Sequence, residues 1–172
     1  MATDIIISTD KTSQQVFPGG DHRMIVAAGI FVRDGSFTTV YSNAVKSTLL
    51  NQGLIISGLS GVLFDAGADL GRVQNAAGAL IQGYAGVEML GARSTVVNAG
   101  AIVGLSDVGV RMDGVTKASV TNSGTIRGSL YGVSFEGGGG LARDTVVHSG
   151  VPRRGSIAVA RSALRFGPAT AA

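Results

Sequence analysis

Four acidic residues, Asp65, Glu88, Asp113 and Glu136, lie within or directly after the Gly-Val-x-Phe/Met segment of a pattern that recurs along this 172-residue chain. Pairs of carboxyl groups on one outer face can supply the general acid and the general base that cleave a glycosidic bond. Two readings are open. Either Asp113 and Glu136 form such a pair on adjacent segments about 5 Å apart, or all four residues are solvated corner residues that supply surface charge. We favour the second reading and predict no catalytic residue.

Two tyrosines, Tyr84 and Tyr131, precede Gly86 and Gly132 and are predicted to occupy equivalent corners. Aromatic side chains along one edge can stack on sugar rings. The third copy of the pattern has Asp107 and Val108 at this place, so we expect no continuous aromatic track. We favour ordinary corner residues over a sugar-binding row.

The residues that bind metals are scarce in this chain. It has no cysteine, and His22 and His148 are its only histidines, with no second ligand at metal-binding spacing. The calcium-binding pattern Gly-Gly-x-Gly-x-Asp is absent, because the Gly137–Gly140 run is not followed by an aspartate at the required place. The sequence therefore predicts no metal and no cofactor.

Basic residues cluster near the end of the chain, where no acid follows Asp144: Arg153, Arg154, Arg161 and Arg165. Such a cluster suits contact with an anion, an acidic polysaccharide or a neighbouring subunit. It also suits a charged end cap, which protects a terminal strand edge against aggregation, and we favour the cap. A formal charge of +3 is too small to indicate a nucleic-acid partner, which calls for a concentrated basic face.

These side chains are positioned by a sequence motif that recurs four times, around Asn51, Asn75, Asn98 and Asn122. The intervals between the asparagines are 24, 23 and 24 residues (51 to 75, 75 to 98, 98 to 122). A fixed period of this length is typical of a solenoid. Within each copy the apolar residues alternate, as in Val110-Arg111-Met112, and alternation with period two indicates a strand that is buried on one face.

Three short strands per repeat of 23–24 residues, separated by glycine-containing corners, predict an all-β chain folded as a right-handed parallel β-helix. The handedness follows from the general rule for parallel crossovers. Like residues are then expected to stack in columns inside the tube. The predicted columns are Val62, Val87, Val110 and Val133; Ile56, Ile81, Ile102 and Ile126; and Phe64, Met89, Met112 and Phe135.

The four asparagines are predicted to face inward as a structural ladder, because a buried amide has to be hydrogen-bonded. The glycines that follow them, Gly53, Gly100 and Gly124, are predicted to take a positive φ at a bend. We expect one domain with an N-terminal cap and degenerate coils in 1–48, regular repeats in 49–137, and a last coil, cap and tail in 138–172. His148 is expected to stand in that last coil at the asparagine position.

The repeat, seen best in Asn122-Ser123-Gly124-Thr125-Ile126-Arg127-Gly128 and Gly132-Val133, resembles bacterial secreted β-helix proteins. These are the autotransporter passenger domains and the N-terminal regions of hemolysin-type secreted proteins. The resemblance covers about 49–150 and implies a secreted or cell-surface protein. The first residues lack the basic and apolar regions of a signal peptide, so another export route is expected. No apolar run is long enough to insert into a membrane.

We therefore expect a non-enzymatic extracellular structural or adhesive module that assembles with itself into fibres or oligomers. The alternative is a β-helix that binds or degrades a surface polysaccharide. A third reading is a fragment of a larger secreted protein.

Overall fold

The computed structural model describes residues 3–113, 117–136 and 145–148. Within these ranges every regular element is a β-strand, and all pairings between named strands are parallel. The strands form three sheets, which we call A, B and C, and from β3 to β17 each coil contributes one strand to each sheet in turn. The predicted parallel β-helix with three short strands per coil is confirmed.

Each sheet runs along the tube, and its strands follow one another in spatial order. Sheet A contains β1 (Thr3–Ile7), β3 (His22–Val26), β6 (Thr48–Asn51), β9 (Arg72–Asn75), β12 (Thr95–Asn98), β15 (Ser119–Asn122) and β18 (Thr145–His148). Sheet B contains β16 (Thr125–Gly128), β13 (Ala101–Gly104), β10 (Leu80–Gly83), β7 (Leu54–Ser57) and β4 (Phe31–Asp34). Sheet C contains β17 (Tyr131–Glu136), β14 (Val108–Asp113), β11 (Val87–Met89), β8 (Val62–Phe64), β5 (Val40–Ser42) and β2 (Gln15–Val16).

Successive coils lie over one another with the period read from the sequence. Asn75 pairs in register with Asn51 on one side and with Asn98 on the other, and Asn98 pairs with Asn122. The first and third predicted apolar columns are formed as expected, since Val87 lies between Val62 and Val110 and Met89 lies between Phe64 and Met112. These side chains are fully buried, so the core is a stack of like residues that no single coil could bury alone.

In the second predicted column, that of the isoleucines, the prediction of Ile56 was wrong. Ile81 faces Ile55, which is fully buried, whereas Ile56 pairs with Gln82 and lies half-buried on the outer side. Ile55 follows Asn51 by four residues, as Ile102 follows Asn98. The prediction aligned the copies on Gly58, but Ser57 occupies the place that Gly83 holds in the next coil.

The glycines after the asparagines are needed for a different reason from the one predicted. Gly53, Gly100 and Gly124 do not have a positive φ; among the described glycines only Gly29 and Gly78 do. A Cβ atom at Gly100 would overlap the carbonyl oxygens of Ala76 and Ala79 on the preceding coil. Glycine is therefore required there because two backbones approach closely.

The N-terminal region continues the tube. Strands β3, β4 and β5 make a complete coil that pairs in register with β6, β7 and β8. Phe17, on the coil before, is buried and packs edge-to-face against Phe64 with ring centroids 5.5 Å apart. It reaches Phe64 because the residue between them in the column is the small Ser42, whose hydroxyl is hydrogen-bonded to Ser47 at 2.8 Å. Phe17 thus contributes to closing this end of the core.

Candidate functional site

The four asparagines form a continuous hydrogen-bonded column at the corner between sheets A and B, which we call the asparagine corner. Each Nδ2 donates to the Oδ1 of the asparagine on the next coil, at 2.9 Å from Asn51 to Asn75, 2.8 Å from Asn75 to Asn98 and 2.7 Å from Asn98 to Asn122. The side chains are between 0% and 6% exposed. The column is therefore inside the tube and faces no ligand.

The same amides also bind the backbone where sheet B begins on the next coil. The Nδ2 atoms of Asn51, Asn75 and Asn98 donate to the carbonyl oxygens of Leu80, Ala101 and Thr125, each at 3.0 Å. An amide nitrogen carries two donors, so the ladder and these carbonyls use both. These asparagines hold the corner of each coil to the next one.

Two of the four predicted outward acids, Glu88 and Glu136, belong to an ion-pair network centred on Arg111, which also includes Asp107. Its Nη1 lies 2.8 Å from Glu88 Oε1, its Nη2 contacts Asp107, and its Nε lies 3.7 Å from Glu136 Oε1. Glu88 also accepts a hydrogen bond from Ser60, and Glu136 accepts one from Ser134 at 2.8 Å. One guanidinium therefore forms ion pairs with three carboxylates on successive coils.

The charge of Arg111 is secured by these partners. Burial lowers the pKa of its guanidinium, but the carboxylates of Asp107, Glu88 and Glu136 outweigh that effect and raise it overall. Asp113 pairs in register with Glu136, as the sequence suggested. Since Glu136 is already engaged by Arg111 and Ser134, the geometry favours a structural role for this group of acids.

The fourth predicted acid, Asp65, lies on a different coil. Its Oδ2 accepts a hydrogen bond of 3.0 Å from the Tyr41 hydroxyl, and its Oδ1 accepts one from the backbone N–H of Ala66 at 2.7 Å. Burial and the bond to Asp65 raise the pKa of the Tyr41 hydroxyl. Asp65 therefore stabilises the outer side of sheet C.

The two tyrosines lie at the same corner of the coil, between sheets B and C, as predicted, but they are not in register with each other. Tyr131 pairs with Val108, whereas the Tyr84 carbonyl accepts the N–H groups of Ser106 and Asp107. Both tyrosines are nevertheless exposed, at 51% for Tyr84 and 43% for Tyr131. They belong to a longer row of apolar side chains.

This row runs along the corner between sheets B and C, and we call it the apolar edge. It places at least one large exposed apolar side chain on each of five consecutive coils: Phe37, Leu59, Tyr84, Leu105, and Leu130 with Tyr131. Backbone hydrogen bonds join its neighbouring segments, including Tyr84 N–H to the Leu59 carbonyl at 2.7 Å and Leu130 N–H to the Asp107 carbonyl at 3.0 Å. Exposed apolar rows of this kind mark interaction surfaces.

A third repeated feature lies at the corner between sheets C and A, which we call the left-handed corner. Five residues have φ between 57° and 59°, one on each of five consecutive coils: Asp21, Lys46, Leu70, Arg93 and Lys117. Backbone hydrogen bonds such as Lys46 N–H to the Asp69 carbonyl, at 2.8 Å, stack these corners. The backbone conformation repeats here while the residue type does not.

The chain matches no protein-family model, and no curated protein and no solved structure is similar to it. The resemblance of the repeat to secreted β-helix proteins stays a prediction. The described residues include no helix that could cross a membrane. They also include no group of three or more His, Asp or Glu side chains that could hold a metal ion.

The remaining predicted residues fall at the end of the chain. His148 pairs in register with Asn122 through β15 and β18, so its backbone takes the place expected of it. Arg153, Arg154, Arg161 and Arg165 lie outside the described residues.

Sequence reasoning missed the apolar edge because it searched that corner for aromatic residues alone. Leu105 was passed over in favour of Asp107 and Val108. A search for any large apolar residue between the Ile-x-Gly and Gly-Val parts of each copy would have found Leu59, Leu105 and Leu130. The left-handed corner carried no signal of residue type.

Proposed function

We propose that this chain is a non-enzymatic structural β-solenoid module that associates side by side with further copies of itself, as a secreted or cell-surface protein. The apolar edge is the observation that carries the proposal. A solenoid can expose polar residues at every corner, yet this corner exposes a large apolar side chain on five coils in succession. Five coils that each expose such a side chain at the same corner call for a partner surface.

The apolar edge continues onto the outer side of sheet B, and together they form what we call the apolar surface. Its sheet B residues are Leu54, Ile56, Leu80 and Val103, which are half-buried or exposed, and the uncharged Gln82 lies between Ile56 and Val103. Charged residues on this side occur at its two ends, Arg33 on β4 and Arg127 on β16, whereas the outward residues of β7, β10 and β13 between them carry no charge. The centre of the surface can be desolvated without burying an ion.

The size of the apolar surface indicates how strong the association is. Four coil steps of about 4.8 Å, and about six residues at about 3.3 Å each across, give an area on the order of 400 Å². Two copies would bury about 800 Å² in total, which is less than the roughly 1,200 Å² of a typical stable complex. A single pair is therefore weak, and we expect assembly to grow with concentration.

A second copy of the chain is the partner whose surface matches this one, because both have the same coil spacing. Its apolar rows have the same spacing of about 4.8 Å from coil to coil. The side chains of one copy can therefore lie between those of another along the whole length of the edge.

The arrangement around Arg111 supports the non-enzymatic part of the proposal over polysaccharide degradation. A glycosidase needs two carboxyl groups that can both reach the substrate. Here Glu88, Asp107 and Glu136 are held by one arginine, and the side chains of Glu88 and Asp107 are only 17% and 12% exposed. An assay of acidic and neutral glycans for cleavage products, with Asp113→Asn as the control, tests this. Cleavage that Asp113→Asn abolishes would establish the enzyme instead.

Sedimentation velocity and light scattering over a wide range of concentration test the self-association. We expect the wild-type chain to shift from monomer to larger species, and the triple variant Leu59→Ser, Tyr84→Ser, Leu105→Ser to stay monomeric. The matched control is Ile6→Ser, Val16→Ser, Val45→Ser, which removes three side chains of comparable exposure elsewhere on the molecule. A monomeric wild type at high concentration, or equal behaviour of the two triple variants, would refute the proposal.

The extracellular setting rests on the resemblance of the repeat around Asn122–Gly128 to secreted β-helix proteins. Protease treatment of intact producing cells, together with analysis of the culture medium, tests it separately. Detection of the chain only after lysis would reject this setting and leave the self-association to be judged by its own experiment.

A further inference from the structure

The left-handed corner carries a row of exposed positive charge. Cations stand on four consecutive coils, and we call them the basic edge: Lys46, Arg72, Arg93 and Lys117. Lys46, Arg93 and Lys117 are corner residues, and Arg72 lies two residues after the corner residue Leu70. Three coil steps of about 4.8 Å make a row on the order of 14 Å long.

Most of this charge is not neutralised by the protein. Within the described ranges, no carboxylate lies within ion-pair distance of Arg72, Arg93 or Lys117. Lys46 lies 4.0 Å from Asp21, and both side chains are more than half exposed, so this pair is weak. Arg23, on the coil before, is instead paired with Asp4 through two bonds of 3.0 and 2.6 Å, and it closes the row at this end.

The backbone at these positions argues against an incidental arrangement. A residue with a side chain costs about 1–2 kcal/mol in the left-handed conformation, whereas glycine adopts it freely. The chain has 27 glycines, yet none stands at any of the five left-handed corner positions. Three of the five are Lys or Arg. Strained backbone clusters at binding sites, and here it is retained at three of the four cations of the basic edge, Lys46, Arg93 and Lys117.

Hydroxyl groups accompany the cations. Thr48, Thr95 and Ser119 open their strands in the same column as Arg72, and each lies two residues after a corner cation. Next to Lys46 and Arg72 the surface forms an open groove of about 560 Å³, which is lined also by Arg23, His22, Thr48, Leu70 and the carboxylates of Asp4 and Asp21 that pair with Arg23 and Lys46. Each coil of the basic edge thus offers one cation, and three of the four coils add a hydroxyl beside it.

We propose that the basic edge binds a linear acidic polysaccharide, whose carboxylate or sulfate groups pair with the cations while its hydroxyls bond to Thr48, Thr95 and Ser119. A single-stranded nucleic acid would need aromatic side chains between the cations on which its bases could stack. Between the cations here stand Leu70, threonine and serine, and the imidazole of His22 lines the groove beside Arg23, at the end of the row. The proposal is independent of self-association, because the basic edge and the apolar edge are different corners of the coil.

Fluorescence titration of the full chain with labelled dextran sulfate, alginate and uncharged dextran tests the proposal. We expect the two acidic polymers to bind with an affinity that falls as salt rises, and uncharged dextran not to bind. The triple variant Arg72→Gln, Arg93→Gln, Lys117→Gln should weaken binding about tenfold or more, as expected for the loss of three exposed ionic contacts. Thermal unfolding verifies that the variant is folded.

The matched control is Lys11→Gln, Arg33→Gln, Arg127→Gln, which removes the same net charge from other parts of the surface. It should change the affinity by less than about threefold. Equal losses in the two variants would show that net charge alone attracts the polymer and would refute the proposal. So would a wild type that binds neither acidic polymer at low salt. A single-stranded oligonucleotide that binds more tightly than both polymers, and that is lost in the first variant, would assign the edge to nucleic acid instead.

Discussion

The asparagine corner and the left-handed corner lie on the same coils and solve the same problem, which is how to turn the chain from one sheet to the next. The asparagine corner repeats a side chain: the same buried amide stands at Asn51, Asn75, Asn98 and Asn122. The left-handed corner repeats a backbone angle, with φ near 57–59°, on five residues that have four different types of side chain. One corner is built by side-chain hydrogen bonds and the other by backbone conformation.

The difference has a consequence for what each corner can do. A corner held by buried amides cannot vary its residue, because each change leaves polar groups without partners. A corner held by backbone conformation leaves its side chains free to point outward. The molecule therefore concentrates stability at the asparagine corner and displays variable chemistry, including the basic edge, at the left-handed corner.

The largest effect is expected at the asparagine corner. Asn98→Ala removes the Asn98 bonds to Asn75, Asn122 and the Thr125 carbonyl. The free energy of unfolding should fall by about 1–3 kcal/mol for each buried polar group left without a partner. Chemical denaturation measures this loss.

Gln74→Ala is the matched control for that experiment. Gln74 is also an amide in sheet A, but it is half-buried and faces outward, one residue before Asn75. We expect a change within about 0.5 kcal/mol, as for most surface substitutions. If Asn98→Ala cost no more than Gln74→Ala, the ladder would not be what holds this corner.

A second prediction concerns the close approach of backbones beside the ladder. Gly100→Ala places a Cβ against the carbonyls of Ala76 and Ala79, so the coils must move apart, and stability should fall by about 1–3 kcal/mol. Gly35→Ala is the control, because its Cβ meets nothing within 4 Å and its φ is not in the left-handed region. It should be neutral or should gain about 0.4–1 kcal/mol. Thermal unfolding of both variants distinguishes close packing from a general cost of replacing glycine.

The sequence predicts the features that repeat a side chain and does not predict those that repeat only a backbone angle. The asparagine column and two apolar columns were predictable, because buried positions in stacked coils demand the same residue each time. Ile55 was missed because Ile56 next to it has the same chemistry, and only the distance from Asn51 separates the inward residue from the outward one. The left-handed corner could not be predicted from the sequence, because Asp21, Leu70 and Arg93 have no side-chain chemistry in common. The apolar edge falls between these cases, because it keeps a class of residue but shifts its exact position from coil to coil.

A smaller effect of opposite sign is expected at the left-handed corner. Arg93→Gly relieves a left-handed conformation that costs about 1–2 kcal/mol, against about 0.5–1 kcal/mol for the added freedom of the unfolded chain. The net gain in stability should be about 0.5–1 kcal/mol. Arg72→Gly, two residues after the corner and within β9, should instead lose about that amount. Equal losses in the two variants would contradict the view that this corner is held by its backbone against local strain.

The smallest effect is expected at the corner between sheets B and C, on the coil of β4 where the apolar edge begins. Asp34 Oδ1 accepts the backbone N–H groups of Ser36 and Phe37, both at 2.9 Å, and Oδ2 accepts that of Gln14 at 3.0 Å. The bonds from Ser36 and Phe37 are the main reason that the pKa of the Asp34 carboxyl is below its usual value. The folded chain then binds this proton more weakly than the unfolded chain does. The stability that the carboxylate contributes is therefore present above the ordinary aspartate pKa of about 3.9 and is lost as the pH falls towards the folded value.

Asp34→Asn keeps an acceptor oxygen but does not titrate, so it isolates the contribution of the charge at this corner. The stability difference between wild type and variant, measured by denaturation from neutral pH down to about pH 3, should shrink in acid. A difference that stays constant over this range would mean that the charge of Asp34 contributes nothing to this corner, and that its acceptor oxygens hold the backbone N–H groups as the neutral amide of Asn98 does at the asparagine corner.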